Sequence, residues 1–279
     1  MHPPKLATVE PEIKRGIGRI LSRHSAVVGF CWGAGRRIGL LLSGLRMAIF
    51  RLKELVALPE MPGRGVFHWT YDRAELIADS VVHVAGLSLG LVAVAALIVL
   101  AGLTASTLNL VTVSIYAAGL IAMLAFSAVY NLWPVSPVKW ILRRFDHSAI
   151  YVLIAATYTP FLAQMNDHTL GLVLLAGVWT VALIGIALKV VFPGRFDRLA
   201  VALYLALGWS GLVAYDSIAA SLTHTTLWLI AIGGVVYSVG VIFHAWQRLR
   251  FQNAIWHGFV LVAAACHYSA VLDTVLVSS

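Results

Sequence analysis

Charge is scarce in this chain: Asp, Glu, Lys and Arg make up 11% of its 279 residues, against 60% hydrophobic residues and a mean hydropathy of +0.88. So little charge cannot coat a water-soluble fold, and so much apolar length excludes a disordered chain, which leaves a polytopic membrane protein. Cysteine is almost missing. Cys31 precedes the first long apolar segment and Cys266 lies inside the last, so neither a disulfide framework nor a zinc-finger spacing is available. Cys266 reads as a small apolar packing residue. A clustered, exposed basic surface is lacking too, so the net charge of +8 reads as topology and lipid contact and not as nucleic-acid binding. No ring of like charges and no regularly polar helix face offers itself to line a pore.

Apolar length, by contrast, is abundant. A hydrocarbon core about 30 Å thick takes roughly 20 apolar residues of helix. Seven segments come near that length: 80 to 102, 107 to 130, 147 to 165, 169 to 188, 199 to 215, 225 to 246 and 254 to 275. The sequence predicts an all-α membrane protein, a seven-transmembrane helix bundle with short connections and no extramembrane domain after residue 75. Lys and Arg are retained on the cytoplasmic side of short loops. Twelve of the 20 basic residues precede the first span. The others are Lys139, Arg143 and Arg144 in the second loop, Lys189, Arg195 and Arg198 in the fourth, and Arg248 and Arg250 in the sixth. The remaining loops and the C-terminal tail carry none, which predicts a cytoplasmic N-terminus and an external C-terminus. Trp133, Trp140, Trp246 and Trp256 fall at the inner boundary and read as an aromatic belt.

Residues 1–74 form a basic N-terminal region distinct from the bundle at 75–279. Its layout of basic residues, an apolar run over 25–34 and then Arg36 and Arg37 is like a signal peptide, but the run is short and no small-residue cleavage site follows. From Ile38 the apolar positions Leu42, Leu45, Ile49 and Leu52 recur at steps of four and three, with Arg36, Ser43, Arg51 and Glu54 across the helix. That pattern predicts an amphipathic helix lying on the anionic inner leaflet. A disordered basic leader, weakened by Gly39 and Gly44, is the alternative.

Against this apolar background a few polar residues stand out by depth. Ser127 and Asn131, at the inner end of the second segment, are four apart and share a helix face. Asp146 and His147 open the third segment, and Asn253 and His257 share a face at the start of the seventh. Glu75, Asp79 and His83 lead into the first at the same level. Polar groups inside a membrane are costly and mark function. The bland reading is that Ser127, Asn131 and Asn253 hydrogen-bond between helices, at about 0.6 kcal/mol each, and that Asp146 caps the third helix. His267, off the His257 face, reads as a buried, hydrogen-bonded imidazole, while His168 and His224 sit at outer loop edges. Pro160 removes a backbone donor inside the third segment and shapes a cavity there.

The stretches ELIADSVVHVAG at 75 to 86, SAVYN at 127 to 131, RRFDHSAIYVLIAATYTPF at 143 to 161, GGVVYSVG at 233 to 240 and NAIWHGFVLVAAACHY at 253 to 268 resemble the hemolysin III family. That family is the bacterial branch of the progestin and adiponectin-type receptors, within an alkaline ceramidase-like superfamily. The resemblance covers roughly residues 72 to 277 in order and spacing, and implies a multi-pass protein of the bacterial inner membrane, with membrane lipids as its partners. It also implies a site: Ser-x-x-x-His on the second span, an Asp opening the third and His-x-x-x-His on the seventh, with zinc on the three His. Carried across, Ser127 and Asp146 take the catalytic positions and His257 a metal position. Asn131 and Asn253 stand at the other two metal positions.

That departure matters because zinc selects imidazole, thiolate and carboxylate, and a neutral carboxamide is a weak ligand. Without the metal's charge, water stays near its bulk pKa and hydrolysis loses its nucleophile. His83, His147 and His244 lie near the same depth and are candidates to replace the missing ligands. Two functions follow: a zinc-dependent lipid amidase or hydrolase in the membrane, or a non-catalytic bundle that senses or stabilises the bilayer. A cytolytic pore has the least support.

Overall fold

The structure, a computed structural model, describes residues 71–192 and 196–277, all of them helices and short turns. The amphipathic helix expected over 38–52 lies outside the described residues. Helix α1, Arg73–Thr104, starts at Asp72, whose side chain accepts the Glu75 amide while the Glu75 carboxylate accepts the Asp72 amide. This reciprocal cap satisfies two of the four unpaired donors of the first turn. Helix α2, Thr107–Leu132, is capped by Ser106, and α4, His168–Val191, by Asp167. Between them α3 spans Pro137–Ala163. Helix α5, Asp197–Gly208, gives way to a 3-10 turn over Ser210–Ala214 and a short α6, Tyr215–Ala219. The chain ends in α7, His224–Ala245, and α8, Gln252–Val277.

Six helical segments are long and apolar enough to cross a bilayer: α1, α2, α4, α7, α8 and the composite Asp197–Ala219. Helix α3 is not in that set, because Lys139, Arg143, Arg144 and Asp146 all fall in its first ten residues. At 1.5 Å per residue its 27 residues still rise about 40 Å.

Two sequence expectations fail here. The third helix begins at Pro137, ten residues before the expected 147, so Asp146 sits inside it and caps nothing. Pro137 suits a first turn, where its missing N–H would have no partner. The charged stretch stays helical because its charges find acceptors: Lys139 reaches back to the carbonyls of Asn131 and Trp133, and Arg143 to Asp197. The fifth span is not one helix but breaks at Trp209. Tyr158, from α3, stabilises the break by donating to the Gly208 carbonyl and accepting the Gly211 amide.

Helices α1, α2, α3 and α8 enclose one core, built on Leu97, Val113, Tyr116, Leu120, Leu153, Val271 and Val275. A second, of Tyr151, Ala155, Val178, Ala182 and Leu207, joins α3, α4 and α5. Small residues let the backbones approach: a Cβ at Gly119 would collide with that of Ala156, so α2 and α3 meet there without a side chain between them. Outward-facing Val81, Leu89, Val92 and Leu103 on α1 are exposed, as expected of a lipid-facing stripe.

Candidate functional site

Asp79 and His83 stand one turn apart on the same face of α1 and are both buried, and they form the hub of the site. One oxygen of Asp79, Oδ1, accepts the Nδ1–H of His257 at 2.7 Å, and the other, Oδ2, accepts the Asn253 carboxamide at 2.9 Å. Asn253 also donates to the Asn131 carboxamide oxygen at 3.1 Å. His83 Nδ1 faces the Asp79 carbonyl at 2.8 Å, so that nitrogen carries the proton and Nε2 keeps its lone pair. Asn131 Nδ2 and Ser127 Oγ both point at that lone pair from 3.3 Å. Asp146 approaches the neighbourhood of Ser127 from α3.

The five sequence candidates, Ser127, Asn131, Asp146, Asn253 and His257, therefore do meet, with Asn131 bonded to Asn253 and Ser127, but it is two α1 residues, Asp79 and His83, that tie them to His257. Each of the two histidines donates from Nδ1 and keeps a lone pair on Nε2, which on His83 faces Asn131 and Ser127, and the ring centroids lie 4.2 Å apart. Asp79, His83 and His257 can each offer a ligand atom within 4.8 Å of the others. Two imidazoles and a carboxylate are a zinc-compatible donor set. Asn131 and Asn253 occupy the surroundings of that set, donating hydrogen bonds to its members.

Other histidines fall outside it. His147 meets the Tyr130 ring edge-on, and His244 packs against Trp256. His267 differs from expectation: its Nδ1 is buried with no hydrogen-bond partner among the described residues, and its ring stacks on Tyr237. His168 and His224 are exposed at the starts of α4 and α7, as anticipated. Of the belt tryptophans, Trp133 and Trp246 are exposed, whereas Trp256 is turned inward against Gly240.

A small cleft lined by Tyr71, Glu75, Asp79, Phe251 and Asn253 opens onto the hub from the helix ends. Its rim is fixed by Glu75, which accepts the Phe251 amide, while Asp72 pairs with Arg250. Phe251 sits at φ 59°, a left-handed conformation that costs a bulky residue roughly 1–3 kcal/mol, and the bond from Glu75 helps hold it. Burial pushes the Tyr71 phenol at this rim up to about 12. The Glu75 backbone amide, then Arg250, hold the Asp72 carboxyl below its ordinary 3.8.

A family model described as Haemolysin-III related matches residues 75–268, which takes in α1 through most of α8. The chain belongs to the hemolysin III family. The hemolysin-3 homolog of Bacillus subtilis is 39% identical over 198 residues, covering 71% of this chain and 93% of that protein. Hemolysin-3 of Bacillus cereus is 37% identical over 202 residues, covering 72% and 92%. The human monocyte to macrophage differentiation factor is 30% identical over 168 residues, or 58% of this chain and 69% of its own. No solved structure matches. Every residue of the hub lies within the region matched to the hemolysin III family.

Sequence reasoning placed Asp79 and His83 at the right depth but did not give Asp79 a role. The signal was present: Glu75, Asp79 and His83 recur every fourth residue, on one face of the helix.

Proposed function

We propose that this multi-pass membrane protein is a zinc-dependent hydrolase of the bacterial inner membrane, acting on an amide or ester bond of a membrane lipid. In this reading α3 completes a seven-span bundle, with the N-terminus cytoplasmic and the C-terminus outside. The convergence of Asp79, His83 and His257 carries the proposal. Those three side chains would hold the ion, whose charge supplies a Lewis acid and an acidified water. Asn253 would orient Asp79 by hydrogen bonding to its Oδ2, and Asn131, whose carboxamide points at His83 Nε2, would turn aside to let the ion reach it. The Ser127 hydroxyl would donate to the oxyanion that forms as the lipid carbonyl is attacked, and the neighbouring Asp146 would take up the proton.

The test is the zinc content of the full-length protein purified in detergent. The expectation is about one ion per chain, lost in His257→Ala and in Asp79→Ala, together with lipid hydrolysis that a chelator abolishes. Metal-free protein would sink it.

A second reading, a non-catalytic bundle that stabilises or senses the bilayer, draws on the closed hydrogen-bond circuit from Asn131 through Asn253 to Asp79. It predicts that Asn131→His combined with Asn253→His creates metal binding that the natural chain does not have. A natural protein already carrying its full metal complement rejects it.

A further inference from the structure

A second charged cluster lies at the basic ends of α3, α4 and α5 and shares no residue with the hub. Asp197 accepts Arg143 Nη2 at 2.9 Å and Lys189 Nζ at 2.6 Å, so two buried cations divide one carboxylate. Beside Lys189, the Val190 carbonyl accepts Arg144 Nη1 at 3.3 Å. That bond commits one corner of the guanidinium and leaves the opposite edge, Nε with Nη2, with no acceptor among the described residues. Nε is buried and has no hydrogen-bond partner among the described residues. A buried unmade hydrogen bond on a charged group costs more than the roughly 1–3 kcal/mol of a neutral one, so this edge calls for an acceptor.

The chemistry of that acceptor follows from the surroundings. Arg143 and Lys189 share the one carboxylate of Asp197 while Arg144 has only a neutral carbonyl, so the missing partner is negative. A guanidinium edge with two parallel N–H groups matches two oxygens of one phosphate. Val191 and Phe192, which follow Lys189, and Phe196, which precedes Asp197, are exposed, offering an apolar surface to alkyl chains. Negative charge joined to hydrocarbon describes an anionic phospholipid, and basic pockets between membrane helices are known to take such headgroups. We infer that Arg144, with Lys189 beside it, binds the phosphate of an anionic phospholipid at the α3–α4 crevice.

The test follows the thermal unfolding of the full-length protein in detergent as dioleoyl phosphatidylglycerol, dioleoyl phosphatidylcholine or inorganic phosphate is added, with native mass spectrometry counting retained lipid. Phosphatidylglycerol is expected to raise the melting temperature saturably and the other two are not. Arg144→Gln should weaken the apparent phosphatidylglycerol affinity about fivefold. Arg144→Lys, which keeps the charge but not the fork, should lose most of that too and guards against a misfolded Gln variant. Arg250→Gln, at the opposite pairing with Asp72, should leave the affinity unchanged. Equal stabilisation by both lipids overturns the inference, as does full affinity in Arg144→Gln or Arg144→Lys. Equal loss in Arg250→Gln would reduce the effect to general surface charge, and stabilisation by inorganic phosphate would make the ligand a free anion. Either result also overturns it.

Discussion

Both oxygens of Asp79 are occupied, one by an imidazole and the other by a carboxamide. A single side chain thus fixes the orientation of two α8 residues and, through Asn253, one on α2. Groups that orient metal ligands typically contribute 10- to 100-fold in affinity. Asn253→Ala should therefore weaken zinc binding by about that factor while the protein still elutes as an intact, folded species. Competition against a chromogenic chelator measures it, and an unchanged constant would show that Asn253 does not support the ligands. At this scale the sequence was legible in position and illegible in partnership. Spacing put Ser127, Asn131, Asn253 and His257 at one depth, because a helix face repeats every three to four residues. It could not show that Asp79 would reach across from α1, since which helix neighbours which is set by packing between segments far apart in the chain.

Among the elements, α3 and the α5 break were the ones misread, for one shared reason. The charge near Arg143 looks locally like a loop and the apolar run through Gly208 like one unbroken helix, and in both a distant partner decides otherwise: Asp197 for Arg143, and Tyr158 for the break between Gly208 and Gly211. Tyr158 is the side chain that makes the break tolerable away from water. Tyr158→Phe removes a donor and an acceptor at once, a loss of roughly 1–3 kcal/mol for a buried polar group. Amide exchange at Gly211 should then accelerate about tenfold or more, with the exchange of α1 unaffected. Unchanged exchange at Gly211 would mean that the turn is held by its own backbone. Helices with plain apolar runs and an oxygen-bearing cap, such as α1, α2 and α4, were read to within a few residues at their C-terminal ends; α1 begins earlier than its apolar run because its first two turns carry the cap and the hub.

For the whole molecule, the alternation of basic and uncharged loops predicts which face meets the cytoplasm. In a background of Cys31→Ser and Cys266→Ala, Thr169→Cys should react with an impermeant maleimide in intact cells. Arg198→Cys should react only after lysis. The reverse pattern would invert the bundle and move the hub to the outer leaflet. Composition alone was enough for the class of fold, since 11% charge leaves few alternatives. The count of spans depended on α3, where length and composition point in different directions.

His267 invites the opposite treatment from His257. Its imidazole has no hydrogen-bond partner among the described residues, and its Nδ1 is sealed away from any solvent. Replacing a partnerless polar ring by an apolar one of similar size is neutral to favourable. His267→Phe should raise the melting temperature in detergent, where His257→Phe should lower it; a fall in the first would reveal a role for the ring. A sturdier preparation for spectroscopy or crystallisation would then begin with one exchange deep in α8, well away from the chemistry.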